Sequence, residues 1–468
     1  TDFGPPIPMR KRARTALPVV SLALLAVACE LDFDPVELQF EPSDWAMAQN
    51  EDLLADKAAQ AQIAGALTML FGTPQAPGFM RPQEWVDDEL YRGSGFDEFS
   101  EERWEEIVED NRARFAPQLA ALETGDLESV RIPVHALGLA EYWAENLADW
   151  TAAAEEGGAD EWLAENREDL ALAFEEYYPS LRESAELYRL QCVHCHGPSG
   201  GGDGPTADFL DPRPRDYRRG IFKFTALADK SRPRREDLYR TLTDGIYTTA
   251  MPNFRRFGDA DLEGLVDYVR LLSIRGETEL LLALEYDYDA GLPVEVVQET
   301  YLDVWDKWEG AQEKVIAFDG EVPDATPERI AHGRELYMDA KGANCVSCHG
   351  VAGRGDGPSA FEVVVDSDGT EEARPVKDDW EQEIIVRDLT RGIYRFGGRP
   401  IDLYRRIHAR INGTPMPAHA ALKKPDGSRL LSDDDLWDIV YYARSLGTRP
   451  LHVHAAETAD SDGNGASH

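Results

Sequence analysis

The chain contains a long internal repeat, and this repeat restricts its possible architecture more than any other feature of the sequence. One copy runs from about residue 181 to 273 and the other from about 331 to 446. Each copy starts with a helical segment and Cys-x-x-Cys-His, continues through a Gly-Asp-Gly-Pro loop to a Met-Pro pair, and ends in an amphipathic helix. The repeat therefore predicts two domains of the same helical fold in tandem.

Cys-x-x-Cys-His is the chemically informative part of each copy. Its residues are Cys192, Cys195 and His196 in the first copy and Cys345, Cys348 and His349 in the second. This spacing is the attachment signature of haem c, in which two thiols bind the porphyrin vinyl groups and the adjoining histidine binds the iron. Zinc sites and thiol-redox sites also use Cys-x-x-Cys, but a zinc site needs four ligands and no further cysteines accompany the motifs. We expect two covalently attached haem c groups.

A Met-Pro pair follows each motif and predicts the sixth iron ligand. Met251 lies 55 positions after His196, and Met416 lies 67 positions after His349. Proline fixes the backbone beside each thioether, so the methionine is presented rigidly to the open face of the iron. Histidine–methionine ligation fills both axial positions and favours Fe(II). Such sites suit electron transfer between proteins better than chemistry on a bound substrate, so we expect an electron carrier rather than an enzyme.

The residues leave several alternatives open. His408 and His419 lie near the second Met-Pro pair, and core packing is the usual role of a methionine. A di-haem peroxidase also carries two Cys-x-x-Cys-His motifs, and a cytochrome subunit of a membrane dehydrogenase or oxidase complex is a third possibility. For the hydrogen bond that orients each proximal imidazole, we expect a carbonyl at Pro205 and at Pro358, nine positions after each histidine.

Acidic residues dominate the chain, with 88 Asp and Glu against 48 Lys and Arg and a formal net charge of −40. This charge repels nucleic acid and favours protein partners that present a basic surface. Residues 30–175 form a strongly acidic region in which His135 and the tryptophans fit helix packing rather than a cofactor site. Apolar spacing predicts helices there at 52–70, 101–122, 134–154 and 162–174. The Arg- and Lys-rich stretches 213–240 and 387–410 fit either haem propionates or a solvated docking face.

Residues 1–29 contain an export signal that resembles the bacterial lipoprotein type. A basic stretch at 10–14 precedes an apolar stretch at 16–27, which is too short to span a bilayer as a stable helix. Small residues then lead to Cys29, which we expect to be lipidated, with cleavage of an ordinary signal nearby as the alternative. Residues 1–8 precede the first methionine and look like upstream translated sequence. Either signal predicts an exported protein.

The two copies resemble class I c-type cytochromes, on the strength of the haem motifs and their Met-Pro pairs. The resemblance implies an all-α fold, in which N- and C-terminal helices cross over a haem enclosed by loops. Ser184 stands where this family usually has a glycine for close helix crossing, and Gly333 is that glycine in the second copy. The expected organisation is a signal at 1–29, an acidic helical region at 30–175, cytochrome c domains at 176–275 and 326–450, a helical connector at 276–325 and a disordered tail at 451–468.

A narrower resemblance concerns the Gly-Asp-Gly-Pro loops, Phe222-Lys223-Phe224 and the segment 70–74, which are similar to bacterial lipoprotein cytochromes of respiratory chains. This resemblance implies a membrane-anchored protein on the periplasmic face. Its redox partners would be a quinol-oxidising complex, a terminal oxidase or a dehydrogenase. The second copy also carries a longer, acid-rich insertion at 363–383.

Overall fold

The helices follow the two copies of the repeat and the acidic region before them. In this computed structural model the described residues are 38–50, 52–79, 99–227, 231–311, 314–318 and 320–448, and from Gln39 onward they form one compact unit. Cys29, the export signal and the tail at 451–468 lie outside the described residues. None of the described helices is long and apolar enough to cross a membrane.

The α-helices are α1 (Asp44–Met47), α2 (Lys57–Phe71), α3 (Glu101–Arg114), α4 (Ala116–Thr124), α5 (Leu137–Glu155), α6 (Ala159–Glu175), α7 (Leu181–Gln191), α8 (Val193–His196), α9 (Arg235–Asp244), α10 (Asp259–Glu285), α11 (Val294–Glu309), α12 (Pro327–Met338), α13 (Val346–His349), α14 (Pro400–Ala409) and α15 (Asp433–Thr448). The strands β1 (Phe361–Val365) and β2 (Glu371–Pro375) form a two-stranded antiparallel sheet.

Helices α3 to α6 form an acidic layer with its own apolar core. Trp143 is buried in this core, and the other tryptophans of the layer pack against it, Trp104, Trp150 and Trp162. The packing interpretation of these side chains is confirmed. The single helix predicted at 101–122 is instead two helices, because Pro117 lies in the first turn of α4, where its missing N–H breaks no helical hydrogen bond.

Buried ion pairs join the acidic layer to α10. The Nε2 atom of His135 lies 2.9 Å from Oδ1 of Asp261, and Arg114 contacts the same carboxylate at 2.5 Å. Both His135 and Asp261 are buried. His135 is therefore a hydrogen-bonded histidine of the interior, as expected, and the acidic layer is held against the first domain of the repeat.

Helix α10 is much longer than the closing helix predicted to end near residue 272. It runs for 27 residues, and its second half packs against α1, α2 and α11. Gly276 lies inside this helix and does not end it. The backbone of Arg218 packs on it so closely that a Cβ would clash there. Phe71 of α2 and Trp305 of α11 belong to the same apolar core as Leu271. The core of the first domain thus extends beyond both ends of 176–275.

The terminal helices cross in both domains, α7 with α10 and α12 with α15. Gly333 permits the crossing in the second domain, since a Cβ there would overlap the carbonyl oxygen of Asp438. The first domain has Ser184 at that position, but Gly264 of α10 lies opposite, and a Cβ on Gly264 would come within 2.6 Å of Ser184 Oγ. Each crossing therefore contains one glycine, on the N-terminal helix in one domain and on the C-terminal helix in the other.

The acid-rich insertion of the second domain forms the β1–β2 hairpin and the turn that follows it. Val363 pairs with Ala373 in the sheet, and the chain then turns through Asp378 and Trp380, both of which are buried. This turn contacts the first domain: Asp378 pairs with Lys223 at 2.8 Å. The insertion is thus part of the contact between the two domains of the repeat.

Candidate haem sites

Each Cys-x-x-Cys-His motif ends in a one-turn helix, α8 or α13. Helix α7 starts with a capping box between Ser180 and Glu183 and ends at Gln191, with Cys192 as its C-cap, and α8 then carries the rest of the motif to His196. Gly197 has a φ of +73°, so the chain can leave α8 in a left-handed conformation that glycine adopts readily. In the second domain α12 ends at Met338, before the motif, but α13 likewise carries the motif to His349, and Gly350 has a φ of +74°.

The glycine-rich loops fold back onto the motif backbone in the same way in both domains. Amide N–H groups of the first loop donate to the carbonyls of His196 and Cys195, at 3.0 and 3.2 Å, and those of the second loop donate to His349 and Cys348, at 2.9 and 3.1 Å. The loops therefore enclose the motif and fix the main chain around each proximal histidine.

Main-chain carbonyls orient the two proximal imidazoles. Nδ1 of His196 lies 3.2 Å from the carbonyl oxygen of Arg215, and Nδ1 of His349 lies 3.2 Å from that of Arg387. Because a carbonyl only accepts, Nδ1 carries the proton, and Nε2 is left as the atom that can bind a metal.

The expected acceptors at Pro205 and Pro358 are wrong. The glycine before each proline, Gly204 or Gly357, packs so tightly on the backbone of the short motif helix that a Cβ would clash there. Each Gly-Pro step therefore lies against that backbone. The acceptor for the imidazole is instead the carbonyl of Arg215 or Arg387, further along the chain.

Burial sets the protonation of the motif side chains. It lowers the pKa of His196 to about 4, and it also lowers the pKa of His349, so both imidazoles are neutral at physiological pH. Burial raises the pKa of the Cys192 and Cys345 thiols to about 12. A thiol-redox site needs a thiolate of lowered pKa, so these cysteines do not fit that alternative. Neutral imidazoles and unpaired thiols are what haem attachment requires, and the four cysteines are free.

A cavity of about 360 Å³ lies beside the first motif and is lined by Cys192, Cys195, His196 and Met251. Apolar side chains form much of its wall, among them Phe222, Leu238, Leu242, Phe254, Val266 and Val269. The amide N–H of Met251 donates to the hydroxyl oxygen of Thr249 at 3.1 Å, and the Met251 carbonyl accepts from the amide of Ile246 at 3.1 Å. These hydrogen bonds fix the loop that carries Met251 at the cavity wall.

One part of the cavity wall is cationic, although the chain as a whole is strongly acidic. Arg213, Arg215, Lys223, Arg256 and Arg395 line it, and the described lining residues include no Asp or Glu. Burial lowers the pKa of Lys223 to about 8 and that of Arg215 to about 10. The Nε atom of Arg395 is buried without a hydrogen-bond partner among the described residues. Such a wall fits the two propionate carboxylates of a haem.

The other basic side chains of 213–240 and 387–410 mostly pair with carboxylates of the protein. Arg235 pairs with Glu263 at 2.7 Å and also with Asp267, and Arg240 makes a bidentate pair with Asp402 of the second domain. These stretches thus include the cationic cavity wall, internal ion pairs and a contact between domains.

In the second domain, Met416 and Cys345 pack against one apolar cluster. His419 is buried, with its two ring nitrogens 3.2 Å from the carbonyl oxygens of Ile407 and Ala343. His408 lies beside the ring of Tyr404. Both ring nitrogens of His419 are therefore engaged by the protein, whereas Met416 packs in the apolar cluster that also contacts Cys345.

The structure adds residues that sequence reasoning did not assign. Tyr188 packs against Tyr268 in the first domain and Tyr337 against Tyr442 in the second, with ring centroids 5.1 Å apart and the rings tilted or edge-on. The ring of Tyr217, however, lies 5.2 Å from that of His196, and its hydroxyl contacts that of Tyr188. Arg215 and Asp216 correspond to Arg387 and Asp388 in the second copy, but a leucine follows them there, so the repeat does not indicate a role for Tyr217.

Comparison with known proteins agrees with this geometry. Residues 179–269 match the family model of cytochrome c oxidase, cbb3-type, subunit III, and residues 330–447 match that of cytochrome c. The chain therefore has two cytochrome c domains in tandem and is mostly helical, and these domains imply covalently bound c-type haem. A chain of the reducing HAO-like protein complex of Kuenenia stuttgartiensis is 28% identical, with 58% of this chain and 97% of that chain covered, at a TM-score of 0.42. No curated protein matches.

Proposed function

We propose that the chain is a di-haem c-type cytochrome that passes single electrons between protein partners, with both irons ligated by histidine and methionine. The observation that carries this proposal is the cavity of the first domain, where Cys192, Cys195, His196 and Met251 line one space. Haem bound there supplies the one-electron Fe(III)/Fe(II) couple.

The protein's own residues hold and shield this group. Arg215 orients His196 through its carbonyl and, with Lys223 and Arg395, provides cations for the propionates. In the second domain, His349 has the same carbonyl contact, and the engagement of His419 by two carbonyls favours Met416 as the second ligand. Two filled axial positions leave the iron no place for a substrate, which favours electron transfer.

Methionine ligation is tested by absorption of the oxidised protein at about 695 nm, where methionine bound to ferric haem c gives a weak band. We expect two haems per chain, and we expect Met251→Ala and Met416→Ala each to remove part of the band. Met69→Ala is the control, because Met69 is half exposed on α2. A wild-type protein with a high-spin haem and no such band would contradict the carrier proposal and favour the di-haem peroxidase.

A role inside a larger complex is the second candidate function. The likeness of residues 179–269 to subunit III of a cbb3-type oxidase favours it. In that case the chain would purify with a quinol-oxidising complex, an oxidase or a dehydrogenase in fixed stoichiometry. A net charge of −40 favours partners that offer a basic docking surface.

We also propose that the protein is exported and held at the periplasmic face of a bacterial membrane by a lipid on Cys29. The basic and apolar stretches before this cysteine support the proposal. Cys29→Ser should release the protein from membranes after cell fractionation, and unchanged membrane association would contradict lipidation as the cause.

A further inference from the structure

Trp380 belongs to the insertion of the second domain but packs on the first. Its side chain is 8% exposed. The indole Nε1–H donates to the carbonyl oxygen of Asp216 at 3.1 Å, and the guanidinium of Arg215 lies 3.6 Å from the indole ring centroid. A cation this close to a buried aromatic face adds electrostatic attraction to the packing. Trp380 therefore holds both the backbone and a side chain of the Arg215-Asp216 stretch.

This stretch is the one that orients His196. The carbonyl oxygen of Arg215, one peptide before the Asp216 carbonyl, lies 3.2 Å from Nδ1 of His196. Asp378, two residues before Trp380, strengthens the contact by pairing with Lys223 at 2.8 Å and with Arg215 at 3.7 Å. The position of the proximal imidazole in the first domain thus depends on a turn of the second domain.

Trp380 also supports the turn that leads to Met416 in its own domain. Gly413 packs against the indole so closely that a Cβ would overlap the ring, and its φ is +71°. The amide of Asp379 donates to the Gly413 carbonyl at 3.0 Å. Three residues after Gly413, Met416 reaches the apolar cluster beside Cys345. The backbone that presents this methionine is therefore built against the same ring.

We propose that Trp380 is a positioning residue shared by the two haem sites. It fixes the carbonyl that orients His196 in the first domain and the turn that presents Met416 in the second. This inference rests on the proposed function, since it requires His196 and Met416 to be iron ligands. Its consequence is that one side chain affects the reduction potentials of both haems.

The test compares Trp380→Phe and Trp380→Ala in the full chain, with midpoint potentials from spectroelectrochemical titration and the band at about 695 nm as readouts. Phenylalanine keeps a ring on Gly413 but donates no hydrogen bond. We expect the first haem's potential to rise, because a less firmly held imidazole is a weaker donor to Fe(III). The second haem's potential should stay at the wild-type value.

Alanine removes the ring as well. In Trp380→Ala we expect the second haem's potential to fall and part of the band to disappear, because loss of methionine ligation favours Fe(III). Arg240→Gln is the control, since it removes the other ion pair between the domains, with Asp402, without touching the lining of the first cavity. It should leave both potentials unchanged.

The outcomes separate the two proposals. Two haems and the band in wild type, with wild-type potentials in both Trp380 variants, would overturn the role of Trp380 alone. Equal shifts in Arg240→Gln and Trp380→Ala would also overturn it, because general loosening of the interface would then explain the effect. Absence of the band in wild type would instead overturn the proposed ligation. If the alanine variant does not fold, the phenylalanine variant still decides the matter through the first haem.

Discussion

At the scale of single residues, the packing around His196 depends on Gly200. Gly200 has a φ of +77°, and a Cβ there would overlap the ring of Tyr217, which lies 5.2 Å from the His196 ring. Tyr217 is buried. The phenol therefore reaches the imidazole only because the loop that passes it carries no side chain at this position.

Gly200→Ala should lower the free energy of unfolding by more than about 1 kcal/mol, because alanine is strained at positive φ and Tyr217 must move. The measurement is denaturant unfolding followed by circular dichroism. Gly65→Ala is the matched control: Gly65 is exposed in the interior of α2 with nothing within 4 Å of a Cβ, so this change should stabilise the protein by about 0.5–1 kcal/mol. Equal destabilisation by both variants would contradict the role given to Tyr217.

At this scale, the sequence identified the groups that define the haem motifs but not those that hold them. Cys-x-x-Cys-His is local, so its spacing alone indicates its chemistry. The carbonyl that orients each imidazole comes from 19 residues further along the chain for His196 and 38 for His349. Loop paths of that length are set by packing, and a backbone carbonyl leaves no mark on residue type.

At the scale of helices and strands, the two crossings of terminal helices use one glycine each but place it differently. A Cβ on Gly333 would overlap a backbone oxygen, that of Asp438. A Cβ on Gly264 would press on side-chain atoms of Pro179 and Ser184. Backbone yields less than side chains, so the second domain has the less tolerant crossing.

Gly333→Ala should therefore destabilise the protein by about 1–3 kcal/mol, the usual range for overpacking in a well-packed interior. Gly264→Ala should cost less. Both variants are compared by thermal unfolding with the haems attached. A larger cost for Gly264→Ala would show that the side chains of α7 have less freedom than their contacts indicate.

The sequence predicted the existence of most helices, because apolar spacing reports a buried face. It placed their ends less well: α10 continues to Glu285, thirteen residues past the predicted end near 272. The reason is that α1, α2 and α11 cover this extension, and such partners are far away in sequence. Ser184 marks the helix crossing of the first domain in the sequence. That Gly264 lies opposite it could not be predicted, because this depends on which faces of the two helices meet.

At the scale of the whole molecule, buried carboxylates on the second domain hold the first. Asp402 accepts from Arg240 at 2.9 and 3.0 Å and from Arg399 at 2.9 Å. Burial raises the pKa of Asp402, but the hydrogen bonds and charges of the two arginines outweigh it and hold the pKa well below its usual value. The pKa of Asp378 is lowered in the same way. Burial alone would raise it, but the hydrogen bond and charge of Lys223, and then the charge of Arg215, outweigh burial.

These shifts make the contact between the domains sensitive to acid. A pKa that is lower in the folded protein contributes stability above the unfolded value of about 4, and this contribution is lost as the pH falls further. Asp402→Asn should cost about 2 kcal/mol at pH 7, because it removes the charged partner of two arginines. Unfolding curves measured across the acid range should show the difference from wild type shrinking below about pH 4. A constant difference would contradict the assignment.

Helix α10 limits how the first domain can be produced as an isolated fragment. The same helix closes the first haem cavity with Val266 and Val269 and holds α2 and α11 through its far end. A fragment cut at the borders of the family match, 179–269, would sever this helix and lose its buried far end, including Leu282 and Ala283. A fragment that keeps this helix covered must therefore include α1 to α11, and it would still lack Trp380 and Arg395, which the second domain contributes to the first haem site.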